Sequence, residues 1–315
     1  MKRIFRTAPL VIIMLFALLF VSCGTSADGG DDTTAFKDTT AVDTTAADTT
    51  AEADTTAPAD TEEIKPDPPK SESNKIFLIR NIQKFTFTAS NGESLPYCMY
   101  IPESYSEDYA YPLLLFLHGA GCRGADEENG SQVEEGVQGL FVPSKTPTYD
   151  AIAVFPLCDS EARWVETDWD KGNYSVDDVE ISRNMVAVVE LLDYIIENYS
   201  INTNRQYVTG LSMGGYGTWD LIMRYPDRFA AAAPLCGAGD PSKAEELKDL
   251  PIWAFHDIDD DAVPVSGTQN MVSAIKAAGG ENILYTESQG FGHRIWDGVY
   301  NDPEFQTWLF SQRKD

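Results

Sequence analysis

Histidine is the scarcest residue with reactive chemistry in this 315-residue chain: only His118, His256 and His293 occur. The five cysteines, Cys23, Cys98, Cys122, Cys158 and Cys236, are scattered and match no zinc-ligand spacing. Neither a metal centre nor a cofactor is expected. Basic side chains are also few, with 23 Lys and Arg against 50 Asp and Glu and a formal net charge of −27 at pH 7. A surface of that sign repels nucleic acid and anionic membranes, so neither is expected as an electrostatic partner. Solubility outside a cell accounts for the acidity. Long hydrophobic runs are missing too: the apolar stretch at residues 10–21 is too short to span a bilayer comfortably.

Lys2, Arg3 and Arg6 precede that stretch and Ser22-Cys23-Gly24 follows it, which is the shape of a signal peptide over residues 1–23. A small residue followed by Cys resembles a bacterial lipobox. That resemblance implies a lipid on Cys23, an exported cell-surface protein, and contact with the membrane through the anchor alone. Phe20 departs from the pattern, and ordinary cleavage near Thr25-Ser26-Ala27 is the alternative. Residues 24–74 repeat Asp-Thr-Thr-Ala, from Asp32, Asp38, Asp43, Asp48 and Asp54, before Pro66, Pro68 and Pro69. With 13 acidic and 3 basic side chains and few bulky apolar ones, the segment reads as a disordered, extended linker.

Residues 75–315 form the expected folded body, a length suited to one α/β domain. Runs at 81–89 and 95–101 flank Ser90-Asn91-Gly92, a hairpin signal. Short apolar runs then alternate with helix-length segments: 112–117, 151–155, 206–209, 230–235, 251–255 and 283–286. That pattern predicts a mostly parallel central sheet with helices on both faces, opened by an antiparallel hairpin. Ile181, Met185, Val188, Leu192 and Ile195 fall at helical steps and predict a helix over 177–198. Further helices are expected after Ser212, over 268–278, and from Asp302, an N-cap followed by Pro303. Pairing among the four body cysteines stays open; Cys122 and Cys158 end neighbouring strands in the expected order, and free thiols are the equal alternative.

Gly210-Leu211-Ser212-Met213-Gly214 lies between an apolar strand and a helix, the setting a nucleophile elbow requires. A serine hydroxyl needs a histidine to take its proton and an acid to orient that histidine. His118 precedes the serine, whereas this fold places acid and base after it. His256 ends a buried strand, with no acid-rich loop between it and Ser212. His293, in the loop Gly290-Phe291-Gly292-His293, is therefore the expected base. Four acids, Asp257, Asp259, Asp260 and Asp261, follow His256, and spacing alone does not separate them. The side chain of His118 is expected to bond backbone.

His256 to Pro264 resembles the His-Gly-x-x-Asp-x-x-Val-Pro stretch of α/β-hydrolase esterases, with Asp257 where that family has Gly. The resemblance implies Asp260 as the acid. With Cys122-Arg123-Gly124, Tyr207-Val208-Thr209 and Pro234-Leu235-Cys236-Gly237, the body resembles the feruloyl esterases and polyhydroxybutyrate-depolymerase-like esterases, a group also labelled as prolyl-oligopeptidase-type peptidases. It implies an α/β-hydrolase fold and oxyanion donors at the Met213 and Ala120 N–H groups. An exported serine carboxylic-ester hydrolase acting on esters derived from plant polysaccharide, feruloyl or acetyl, is the leading expectation. A serine peptidase, disfavoured by the missing propeller domain, and a non-catalytic binding lipoprotein are the alternatives. Trp164, Trp169 and Trp296 are the substrate-wall candidates, each with bracing of a loop as the plainer role.

Overall fold

A computed structural model describes residues 65–68, 82–124, 132–133, 140 and 150–314, all within one compact unit, Thr61–Asp315. The expected signal peptide, Cys23 and nearly all of the expected linker lie outside the described residues. Eight strands follow in chain order: β1 (Ile82–Thr88), β2 (Ser94–Tyr100), β3 (Tyr111–Leu117), β4 (Ile152–Pro156), β5 (Ile201–Leu211), β6 (Ala231–Leu235), β7 (Ile252–Asp257) and β8 (Ile283–Ser288). The described helices are α1 (Arg183–Asn198), α2 (Met213–Arg224), α3 (Ala244–Leu247), α4 (Ser266–Ala277), α5 (Trp296–Tyr300) and α6 (Pro303–Ser311), besides short 3-10 turns.

The strands form one sheet in the order β1-β2-β4-β3-β5-β6-β7-β8. β1 pairs antiparallel with β2, β2 antiparallel with β4, and every later pair is parallel. This is an α/β-hydrolase architecture. The period-2 alternation of a strand explains why β3 is apolar throughout. Leu113, Leu115 and Leu117 join one core with Met185 and Leu192 of α1, Trp219 of α2 and Met271 of α4. Leu114 and Phe116 join the opposite core with Tyr300 of α5 and Phe305 and Leu309 of α6. Helices thus cover both faces, and the C-terminal ends of the parallel strands are left to carry loops.

Two boundaries differ from the periodicity. The expected helix over 177–198 begins only at Arg183, because the Ser182 hydroxyl accepts the Met185 N–H at 3.1 Å and caps the helix there. Ile181 stands outside it and keeps the apolar spacing without the helix. β5 starts at Ile201 rather than 206, and its polar first half reaches back to pair Ile201 with Tyr111 at the start of β3, before a register shift. Hydrophobicity alone misses such a half. No disulfide joins Cys98, Cys122, Cys158 and Cys236, so the candidate Cys122–Cys158 pair is not bonded.

Candidate active site

Ser212 stands between β5 and α2 with φ 55° and ψ −117°. Among the described residues only Ser212 and Cys236 (φ 48°) hold positive φ without being glycine. A serine in that region is strained, and strain of this kind gathers at functional sites. The neighbouring glycines make the turn feasible. A Cβ on Gly214 would lie 1.9 Å from the Leu117 carbonyl oxygen, and one on Gly210 would lie 2.5 Å from the Gly214 oxygen. Only hydrogen fits there. The Ser212 N–H donates to the Leu235 carbonyl at 2.9 Å, tying the turn to β6.

The loop after β8 brings His293 back over the elbow. Its Nε2 lies 2.8 Å from Ser212 Oγ and its Nδ1 lies 2.8 Å from Asp260 Oδ2. A carboxylate only accepts, so Nδ1 carries the proton and Nε2 is left as the acceptor for the serine hydroxyl. Such a chain can draw a proton from the hydroxyl and stabilise the imidazolium that results. Trp296 sets its indole edge-on to His293, with centroids 5.5 Å apart.

Asp260 leaves β7 through a tight loop and its side chain is fully buried. Burial alone would raise its pKa. Hydrogen bonds from His256, His293 and the Val263 and Ala262 N–H groups outweigh that, and hold the carboxyl below the usual carboxylate range. The neighbouring acids have other tasks. Asp257 is buried and accepts from the Ser288 hydroxyl, the Phe291 and Gly292 N–H groups and the Asp259 N–H. It anchors the histidine loop to the sheet, a role that reading the acids only as rivals for the imidazole overlooked. The pairing of Asp257 with Ser288, which extends β7 and β8 past their apolar runs, is the cause. Asp259 accepts from the Gly290 N–H at 3.1 Å, and Asp261 is exposed.

On the other side of Ser212, β3 delivers His118, Gly119 and Ala120. Leu117 of β3 pairs with Gly210 of β5, so Ala120 and Met213 follow neighbouring strands by equal steps. The Met213 N–H opens α2, where no intrahelical acceptor exists. Ala120 opens a 3-10 turn, Ala120–Cys122. His118 is completely buried: Nδ1 donates to the Gly119 carbonyl at 2.7 Å and Nε2 accepts the Cys158 N–H at 3.0 Å. Burial pushes its pKa down to about 4, so the ring is neutral at pH 7. Arg123 donates from Nε to the Ala120 carbonyl and from Nη1 to the Ala162 carbonyl, both at 3.2 Å.

The three tryptophans divide. Trp164 is fully buried, packs on His118 and donates its indole N–H to the His118 carbonyl at 3.0 Å. With no exposed surface it is no substrate wall, and that expectation is corrected. Trp169 is half-buried, with the Arg163 and Arg123 guanidiniums 4.6 and 5.6 Å from its ring. Trp296 is 8% exposed and braces His293. Sequence reasoning named Cys236 but gave it no place at the site. Among the described residues its thiol, Asp260 and His293 are the one group with metal-type donor atoms within 4.8 Å of one another. Burial holds the thiol pKa well above its ordinary value.

Comparison with known proteins identifies the family and the fold. The Esterase family model, described as "Putative esterase", matches residues 88–307. A solved structure described as a thermostable esterase superposes with a TM-score of 0.68 at 35% identity, covering 76% of this chain and 65% of that one. The bifunctional acetylxylan esterase/xylanase XynS20E of Neocallimastix patriciarum is 28% identical over 34% of this chain and 16% of its own length. Feruloyl esterase B of Thermothelomyces thermophilus is 23% identical over 51% of this chain and 50% of its own. The chain thus spans half or less of the length of these two curated relatives.

Proposed function

This chain belongs to the Esterase family, and from that premise we propose that it is an exported serine hydrolase of carboxylic esters working through Ser212, His293 and Asp260. The observation that carries the reading is the pair of 2.8 Å contacts joining those three side chains at a strained elbow. Ser212 Oγ attacks the ester carbonyl while His293 Nε2 takes its proton. Asp260 keeps the imidazole in the Nδ1–H tautomer and stabilises its charge. The Met213 and Ala120 N–H groups receive the oxyanion of the tetrahedral intermediate. His293 then protonates the leaving alcohol, and water returns along the same route to free the acid.

Feruloyl or acetyl esters derived from plant polysaccharide are the proposed substrates, in keeping with what the named relatives act on. Trp169 and Trp296 border the elements that carry the donors and the base, and they are the remaining candidates for contact with an aromatic acid or a sugar. Lipidation at Cys23 and the linker at 24–74 complete the reading as a tethered surface enzyme. The test is labelling of folded protein by a fluorophosphonate at Ser212, together with hydrolysis of aryl acetates and methyl ferulate. Peptide cleavage without ester cleavage, or no labelling, defeats the reading. For the anchor, Cys23→Ser is expected to release active protein from membranes; unchanged retention defeats it.

A further inference from the structure

His256 is absent from the proposed chemistry, yet it touches the acid on which that chemistry depends. Its ring is completely buried at the end of β7. Nε2 lies 3.1 Å from the Val263 carbonyl and 3.2 Å from Asp260 Oδ2, the same oxygen that holds His293 Nδ1. Both neighbours of Nε2 only accept, so Nε2 carries a proton. On the other side Nδ1 meets the Thr268 hydroxyl at 2.8 Å, and that hydroxyl donates to the Gly237 carbonyl at 2.9 Å. Thr268 is buried on α4, and Gly237 follows β6. A line of polar contacts therefore runs on past the triad: Ser212, His293, Asp260, His256, Thr268, Gly237.

We propose that His256 is a second imidazole on the acid, a positioning residue that shares its Nε2–H with Asp260 Oδ2 and thereby sets how tightly Asp260 holds the His293 proton. The inference rests on the assignment of His293 and Asp260 made above. Asp260 Oδ1 already takes the Ala262 and Val263 N–H groups. The Oδ2 charge is divided between two imidazoles, and each weakens the pull on the other. A carboxylate with a full claim on His293 would keep that ring protonated, and unable to act as base, to a higher pH. By taking part of the charge, His256 loosens the claim of Asp260 on the His293 proton. By accepting from His256, the Val263 carbonyl also fixes the loop that wraps Asp260, so the experiment must separate these two effects.

Other titratable groups around the pair are the Cys236 thiol, Asp257, Tyr216 on α2, and Tyr285 with Glu287 on β8. They stay in place in the variants below and act equally in all of them. His256→Leu removes the donor, whereas His256→Gln keeps an N–H at comparable reach. The readouts are the pH profile of kcat/KM on an aryl acetate with the full chain, and the titration midpoint of His293 followed by NMR without substrate. His256→Leu is expected to move both midpoints up by about half to one pH unit, the scale on which one charged hydrogen bond shifts a titration. His256→Gln is expected to restore them. Unmoved midpoints in a folded His256→Leu, or equal behaviour of Gln and Leu, overturn the proposal even if activity falls. Should His256→Leu not fold, Thr268→Val frees the ring from its Nδ1 anchor. An upward midpoint in that variant supports the role and an unmoved one overturns it. The NMR midpoint needs no turnover, so absent ester hydrolysis counts against the proposed function alone.

Discussion

Ser212 has two flanks, and each is built around a buried histidine treated in the opposite way. On the β7–β8 flank, His256 and His293 converge on Asp260, a carboxylate kept ionised by four donors. On the β3–β4 flank, His118 meets no acid; both ring nitrogens are used on backbone, and burial keeps the ring neutral. One flank stores charge for the proposed proton transfer. The other excludes charge and uses the imidazole as a rigid spacer between two strand ends, next to the proposed oxyanion donors. The difference shows how one residue type can be motor or mortar according to whether a carboxylate shares its cavity.

The sharpest way to break this comparison is to neutralise the charged flank. Asp260→Asn is expected to lower kcat by roughly 10⁴, the loss seen when a triad acid becomes an amide and the histidine adopts the wrong tautomer. Exposed Asp261→Asn is expected to stay within about twofold, as surface substitutions away from special features do. Steady-state rates on an aryl acetate, with folding checked by circular dichroism, decide it. A folded Asp260→Asn that keeps more than about a tenth of wild-type turnover, far above the loss expected for a triad acid, removes Asp260 from the chemistry.

Acid stability sharpens the contrast, because the flanks weaken in different pH windows. The folded pKa of His118 lies below the unfolded value of 6.5, so the fold favours the neutral ring. Its contribution is complete above about pH 6.5 and is lost as pH falls towards 4, amounting to about 3 kcal/mol. Asp260 has a lowered pKa instead, so its contribution persists until the pH falls below the unfolded carboxylate value of 3.8. Urea unfolding of wild type and His118→Gln across pH 7 to 4 measures the first window. The slope difference between them is the His118 contribution, and identical slopes overturn the account of the neutral flank.

How far the sequence revealed these flanks differs as well. Alternating strands and helices, the Asn-Gly hairpin and the elbow were legible because each is a local pattern with one structural solution. Ser212 and His293 were singled out by chain order and the scarcity of histidine. The acid was not separable by local pattern, since four carboxylates in five positions differ only in where a loop turns them. Asp257 shows why: nothing in the run Asp257-Ile258-Asp259-Asp260-Asp261 announces that β7 and β8 stay paired as far as Asp257 and Ser288. Asp257→Asn is expected to lower kcat/KM by about ten- to a hundredfold, as misplacement of a catalytic group does, with the pH midpoint unchanged. Loss on the scale expected for Asp260→Asn would assign Asp257 to the proton transfer instead. Trp164 was misread for the same reason, because a tryptophan beside the site and one beneath its loop look alike until burial is known.

The smallest expected effect tests the neutral flank from its rim. Arg123 joins three parts of that flank: its Nε holds the Ala120 carbonyl, its Nη1 holds the Ala162 carbonyl, and its plane faces Trp169. A lysine reaches one of these partners as a point charge and cannot grip both carbonyls in the fixed geometry of a guanidinium. If the Ala120 N–H receives the oxyanion, the Ala120 turn must already be in place before charge develops, since preorganised donors act mainly on the transition state. Arg123→Ala and Arg123→Lys are then expected to lower kcat by about three- to tenfold with little change in KM for a small aryl acetate, the signature of an interaction made mainly in the transition state. Arg123 is only half-buried, so both variants are expected to fold. A rise in KM with kcat unchanged would mean that the guanidinium grips the substrate itself. Full activity in Arg123→Lys would mean that a positive charge near the site is enough and the two-carbonyl grip is not needed.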